Sequence, residues 1–165
     1  MSRKEARETV FKLVYERCVT GESSGFSFDL LTEGFFDDDL AYMEKVYDGI
    51  GEHNYFLNET IRRYSKAFKL DRVYRVDLAA LLVAAYEILF FDDIPYQISV
   101  NEAVELSKKY STEKSYRFIN GILSSVVSDR DALKAELLEG GGGRGAGEPK
   151  DEEADKSGEE GEEIF

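Results

Sequence analysis

Apolar residues recur at helical spacing along most of the chain. Ala6, Val10, Leu13, Val14 and Cys18 fall on one stripe, with Phe11 and Tyr15 beside it, as in an amphipathic helix with one buried face. Ser2 and Glu5 have the spacing of a capping box, so that helix should begin almost at the N-terminus. Residues 21–25 read as a loop and 26–35 as a short helix ending near Gly34. Asp37, Asp38 and Asp39 put negative charge where a helix N-terminus is positive. The helix they open carries Leu40, Met43, Val46, Tyr47 and Ile50. The rhythm resumes at Tyr55, Phe56, Leu57, Ile61, Tyr64 and Phe68, with Gly49 and Gly51 favouring a kink near His53 and Asn54. After a turn at 70–73, residues 77–91 are apolar almost all round, the pattern of a central buried helix.

Residues 94–123 hold the sharpest signals. Pro95 stops the preceding helix. Ser99 and Glu102 then predict a second capping box. Val100, Ala103, Val104 and Leu106 mark one amphipathic helix, and Phe118, Ile119, Ile122, Leu123, Val126 and Val127 mark another, joined around 109–115. Gly121 interrupts the second pattern at a cost of about 1 kcal/mol against Ala, which predicts the close approach of another helix. Residues 131–138 extend the last helix. Strand-type alternation is missing, so the expected fold is all-α, about seven helices in one domain spanning 1–138.

Beyond Leu138 the pattern ends. Residues 139–165 hold ten acids, three bases and a run of glycines, a composition that predicts a disordered tail. It reads either as a solubilising extension or as an RNA mimic competing for basic surfaces. The whole chain of 165 residues carries a net charge of −13, so any nucleic-acid role must rest on a local basic patch. Such a patch exists only in the first helix. Arg3, Lys4 and Arg7 cluster at its start, with Lys12 and Arg17 further on. This is either a solvated face or an RNA contact. Cations at a helix N-terminus oppose the helix dipole, which hints at a task other than stability.

The remaining chemistry is sparse. The chain has one cysteine, Cys18, and one histidine, His53; the first reads as a reduced core thiol and the second as a surface residue at a kink. A thiolate–imidazole metal site is therefore not expected. Nucleotide, hydrolase and zinc-protease motifs are missing, so the expectation is a non-enzyme without metal or cofactor. Glu87, in the most buried helix, is either a satisfied structural group or one that reaches a binding surface. With no apolar run near ~18 residues and no signal-peptide pattern, a cytoplasmic protein is expected.

Two regions together resemble a known family. Ser2-Arg3-Lys4-Glu5-Ala6-Arg7-Glu8, followed by Phe11-Lys12-Leu13-Val14-Tyr15-Glu16, resembles the N-terminal helix of the NusB family of bacterial transcription antitermination factors. Asp93-Ile94-Pro95-Tyr96, then Val100-Asn101-Glu102-Ala103-Val104-Glu105-Leu106, then Phe118-Ile119-Asn120-Gly121-Ile122-Leu123, resembles its C-terminal signature, and Ala85-Tyr86-Glu87 is similar to its central helix. The resemblance covers about residues 2–130. It implies two packed three-helix-type bundles. It implies binding of boxA-type single-stranded RNA in nascent rRNA transcripts, jointly with a small-subunit ribosomal protein (NusE), within an RNA polymerase antitermination complex. On this resemblance Arg3, Lys4 and Arg7 are the RNA-binding residues, and Tyr86, Glu87 and Phe118 bind the protein partner.

The chain departs from the family pattern in three ways. Its basic N-terminus is thinner, Leu82 and Ser124 stand where the family often has an arginine and an acid, and the acidic tail has no counterpart. The rival readings are a helical protein–protein adaptor that has lost RNA binding, and a stand-alone relative of the NusB-like module that precedes RNA methyltransferase domains. The oligomeric state stays open between a monomer and a homodimer that hides the RNA face.

Overall fold

The computed structural model describes residues 2–69 and 72–140. Among them are eight α-helices and no strands: α1 (Arg3–Thr20), α2 (Gly25–Leu31), α3 (Asp37–Glu52), α4 (Asn54–Ala67), α5 (Arg75–Phe90), α6 (Tyr96–Tyr110), α7 (Ser115–Ser128) and α8 (Arg130–Gly140). The expected all-α fold is present. The acidic tail from residue 141 and part of the turn expected at 70–73 lie outside the described residues.

Helix α5 is the common core. Every residue from Asp77 to Leu89 is buried, as its all-round apolar sequence requires. It packs against α1, α3, α4, α6, α7 and α8. On one side of this arrangement α1 packs with α2 and α3; α7 packs with α4, α6 and α8. The two expected bundles thus share one helix.

Local signals explain most boundaries. The Ser2 hydroxyl accepts from the Glu5 N–H at 3.1 Å, and the Ser2 N–H donates to Glu5 Oε1 at 2.9 Å, which completes the capping box of α1. Gly21 closes the same helix in the left-handed region at φ 83°, where glycine pays no Cβ penalty. Asp37, Asp38 and Asp39 lie in the first turn of α3, although none caps it by a side-chain hydrogen bond.

Four expectations need correction. The long kinked helix is two helices, since His53 leaves helical geometry (φ −107°, ψ 27°) between α3 and α4. Residues 130–140 form a separate helix rather than an extension, because Asp129 breaks the path, and α8 runs to Gly140, beyond the boundary expected at 138. Helix α6 starts at Tyr96 on Pro95, so Ser99 and Glu102 lie inside it and form no capping box. Gly121 does sit at a close approach, but to a side chain: a Cβ there would lie 2.3 Å from Cζ of Phe68, at the end of α4.

Candidate functional site

The capping box fixes where α1 begins and therefore where its cations point. Residues 3, 4 and 7 do not share one environment. Arg3 is half-exposed; its Nε donates to Asp39 Oδ1 at 2.9 Å, and its guanidinium lies 4.5 Å from the Tyr42 ring centre. Lys4 is exposed and meets Glu102 Oε1 at 3.0 Å. Arg7 is 5% exposed and belongs to the core.

Arg7 and Glu87 form a buried fork. Arg7 Nε donates to Glu87 Oε2 at 2.7 Å and Nη2 to Oε1 at 3.3 Å. The Ser99 hydroxyl donates to Oε1 at 2.6 Å, and the Tyr42 hydroxyl donates to Oε2. This network ties α1, α3, α5 and α6 together. Burial, and after it the Glu87 carboxylate, hold the Tyr42 phenol well above its usual range, so it remains a donor. A buried carboxylate with four such contacts is satisfied. Glu87 is a satisfied structural group, and the surface roles expected for Arg7 and Glu87 do not match their burial: Glu87 is sealed from solvent and the Arg7 side chain is 6% exposed.

Tyr86 is also interior, at 5% exposed. Its ring stacks on Phe90 at 4.4 Å and passes over Gly49 of α3, where a Cβ would come within 2.1 Å of the phenol oxygen. Of the three residues expected to meet a protein partner, only Phe118 is partly exposed, resting against the core from α7.

Part of the remaining surface of α1 faces α6. Lys109 Nζ meets Glu8 Oε2 at 2.8 Å and the Tyr110 hydroxyl donates to the same carboxylate; these two bonds lower the Glu8 carboxyl below its usual range. Lys12 lies 5.8 Å from the Tyr110 ring centre. Tyr15 and Tyr110 are each 38% exposed. Lys4, Lys12, Lys109, Tyr15 and Tyr110 thus form one edge that sets cations beside part-exposed aromatic rings, interleaved with the carboxylates of Glu8 and Glu102; cations beside such rings suit phosphates and stacked bases. Reading the sequence alone missed Lys109 and Tyr110, which lie about a hundred positions from α1. The one usable signal was Tyr15 beside the first apolar stripe.

The NusB family model matches residues 4–128. The transcription antitermination protein NusB of Acetivibrio thermocellus is 40% identical over 129 residues, covering 77% of this chain and 89% of that protein. The chain belongs to the NusB family. The NusB of Ruminiclostridium cellulolyticum is 38% identical over 128 residues, covering 76% of this chain and 88% of that protein. Solved NusB structures share the fold. That of T. maritima matches with a TM-score of 0.69 at 30% identity, over 83% of this chain and 99% of its own. A crystal structure of antitermination factors NusB and NusE in complex with dsRNA matches with a TM-score of 0.66 at 28% identity, over 76% of this chain and 96% of the other. Of the departures from the NusB pattern, Leu82 is buried in α5 and Ser124 is exposed on α7. No helix among the described residues is long and apolar enough to cross a membrane.

Proposed function

We propose that this chain is a cytoplasmic transcription antitermination factor that binds boxA-type RNA together with the ribosomal protein NusE, as part of an antitermination complex on RNA polymerase. The observation that carries the reading is the α1–α6 edge, where Lys4, Lys12 and Lys109 lie along the same two helices as Tyr110, and Tyr15 lines a cavity with Tyr110. Arg3 and Lys4 contact RNA. Arg7 does so indirectly, by fixing the start of α1 on Glu87. Phe118, on α7, contributes to the protein-partner surface, while Tyr86 and Glu87 support it from within. The likeness to a NusB captured with NusE and dsRNA supports both partners. Residues 1–138 act as the binding domain, and the acidic residues 139–165 as a solubilising extension.

The experiment is fluorescence anisotropy of a labelled boxA-type RNA, with and without NusE, over a salt series. Arg3→Glu with Lys4→Glu should weaken RNA binding and flatten the salt dependence by about one phosphate contact per lost cation, while NusE binding persists. Equal RNA affinity in wild type and double variant removes the assigned surface.

One observation favours the adaptor reading. Each of Arg3, Lys4 and Arg7 already has a carboxylate partner. A protein that has lost RNA binding would show NusE binding in the same experiment and no RNA-dependent signal. Sedimentation with and without RNA tests whether a homodimer covers the edge.

A further inference from the structure

The far end of α1 holds a cavity that the function above does not use. It has a volume of about 350 Å³ and lies between the end of α1, the α3–α4 junction and the start of α5. Arg17, Cys18, Ser23, Asn54, Asn58 and Arg75 supply its polar wall, and none of the described residues lining it is acidic.

Several other cations are met by carboxylates: Arg3 by Asp39, Lys4 by Glu102, Arg7 by Glu87, Arg63 by Glu136, Lys109 by Glu8 and Arg130 by Asp92. Arg17 instead donates to two neutral oxygens, Ser23 Oγ at 3.2 Å and the Tyr47 carbonyl at 3.0 Å. Its guanidinium sits 4.1 Å from the Tyr47 ring centre. The group is held in place while three of its five N–H donors stay free of these bonds. Arg75 has no hydrogen bond or ion pair among the described residues.

Two helices also begin at this cavity. Helix α4 starts at Asn54 and α5 at Arg75, and neither has a side-chain hydrogen bond capping its first turn. Both positive helix ends favour an anion. Two opposing C-terminal helix ends also reach the cavity, that of α1 at Gly21 and that of α3 at Ile50 and Gly51; in each a cap N–H turns back, Gly21 to the Arg17 carbonyl at 2.8 Å and His53 to the Gly49 carbonyl at 2.9 Å. Cys18 lies within electrostatic reach of both arginines, yet burial dominates and raises its thiol to about 11. The thiol is neutral at pH 7 and does not repel an anion.

We propose that this cavity is a binding site for a phosphate group, gripped between Arg17 and Arg75 with Asn58 on its wall. A pair of phosphate oxygens, present in free phosphate and in an RNA phosphodiester alike, matches the planar donor fork of arginine. The group comes either from free phosphate or from an RNA backbone, and the test separates the two sources.

The full-length protein is titrated with sodium phosphate at pH 7, against sodium chloride at matched ionic strength. Binding is followed by calorimetry and by the alkylation rate of Cys18, the chain's one cysteine. Saturable heat together with slower alkylation is the expected result. Arg75→Ala, a change at an exposed side chain, should weaken phosphate binding about fivefold, the size of one partly exposed charge contact. Lys66→Ala removes an equal charge outside the cavity and should leave it unchanged. A linear, non-saturating response, or equal affinity in wild type and Arg75→Ala, overturns the site. The source is read with single-stranded RNA. If phosphate competes with RNA and Arg75→Ala weakens both, the site seats an RNA phosphate. If RNA affinity is the same in Arg75→Ala while phosphate binding drops, it seats free phosphate. Because calorimetry needs no RNA, loss of RNA binding by Arg3→Glu/Lys4→Glu bears on the α1–α6 edge alone.

Discussion

Both ends of α1 carry positive side chains and use them differently. At the N-terminal end Arg3, Lys4 and Arg7 each meet a carboxylate from another helix. At the C-terminal end Arg17 rests on a carbonyl, a hydroxyl and an aromatic face. The denser cluster therefore offers less uncompensated charge than the isolated arginine. What decides availability is the partner that the fold supplies, and depth then decides the energetic weight. Asp39 and Glu102 leave their cations at the surface, where an RNA phosphate can replace the carboxylate; Glu87 does not.

The largest effect should come from breaking the buried pair. Glu87→Ala leaves the Arg7 guanidinium unpaired in the core and should cost about 3–5 kcal/mol in a urea unfolding experiment. Replacing both residues together, Arg7→Met with Glu87→Leu, should recover most of that loss. If Glu87→Ala unfolds at the same urea concentration as wild type, the interior placement of this pair is wrong.

Next in size is the release of a surface cation. Glu102→Gln takes the charge opposite Lys4 away and should tighten RNA binding about two- to fivefold at low salt, on the scale of one exposed ion pair. The gain should shrink at high salt as screening grows. Unchanged or weaker binding would mean that Lys4 is not on the RNA path.

Smaller still is the stability effect of the half-exposed pair. Arg3→Ala should lower stability by less than about 1 kcal/mol, in contrast to Glu87→Ala, as read by the same urea series. A loss comparable to that of Glu87→Ala would erase the distinction between surface and buried pairing.

The last effect concerns pH at the far end and is zero at neutral pH. Cys18 has its thiol raised from 9.0 to about 11 in the folded chain. The unfolded chain then releases this proton first as pH rises, so stability is lost between about pH 9 and pH 11 and is unaffected below. Cys18→Ala should flatten that part of the stability–pH curve. An identical alkaline slope in the variant would remove burial of the thiol as its cause.

Much of the fold was legible because it rests on local patterns. The capping box at Ser2 and Glu5 and the apolar stretch that became α5 are set by neighbours in sequence, and both form as expected. The same motif failed at Ser99 and Glu102 because tertiary structure recruited those side chains: one bonds Glu87 and the other Lys4. The site was legible only as a set of residue types. Arg3, Lys4 and Arg7 look alike along the chain, and their separation into half-exposed, exposed and buried depends on where α3, α5 and α6 present Asp39, Glu87 and Glu102. Those partners lie 36, 80 and 98 positions from their cations, beyond the reach of any local periodicity. Tyr86 was misplaced for a related reason, since the gap that admits its ring is made by Gly49 on another helix.

Because α5 is shared by both helical groups, neither can loosen without exposing it. The chain should therefore unfold in one cooperative step, and the central amides of α5 should exchange with solvent deuterium only through complete unfolding, at rates that report the stability of the whole molecule.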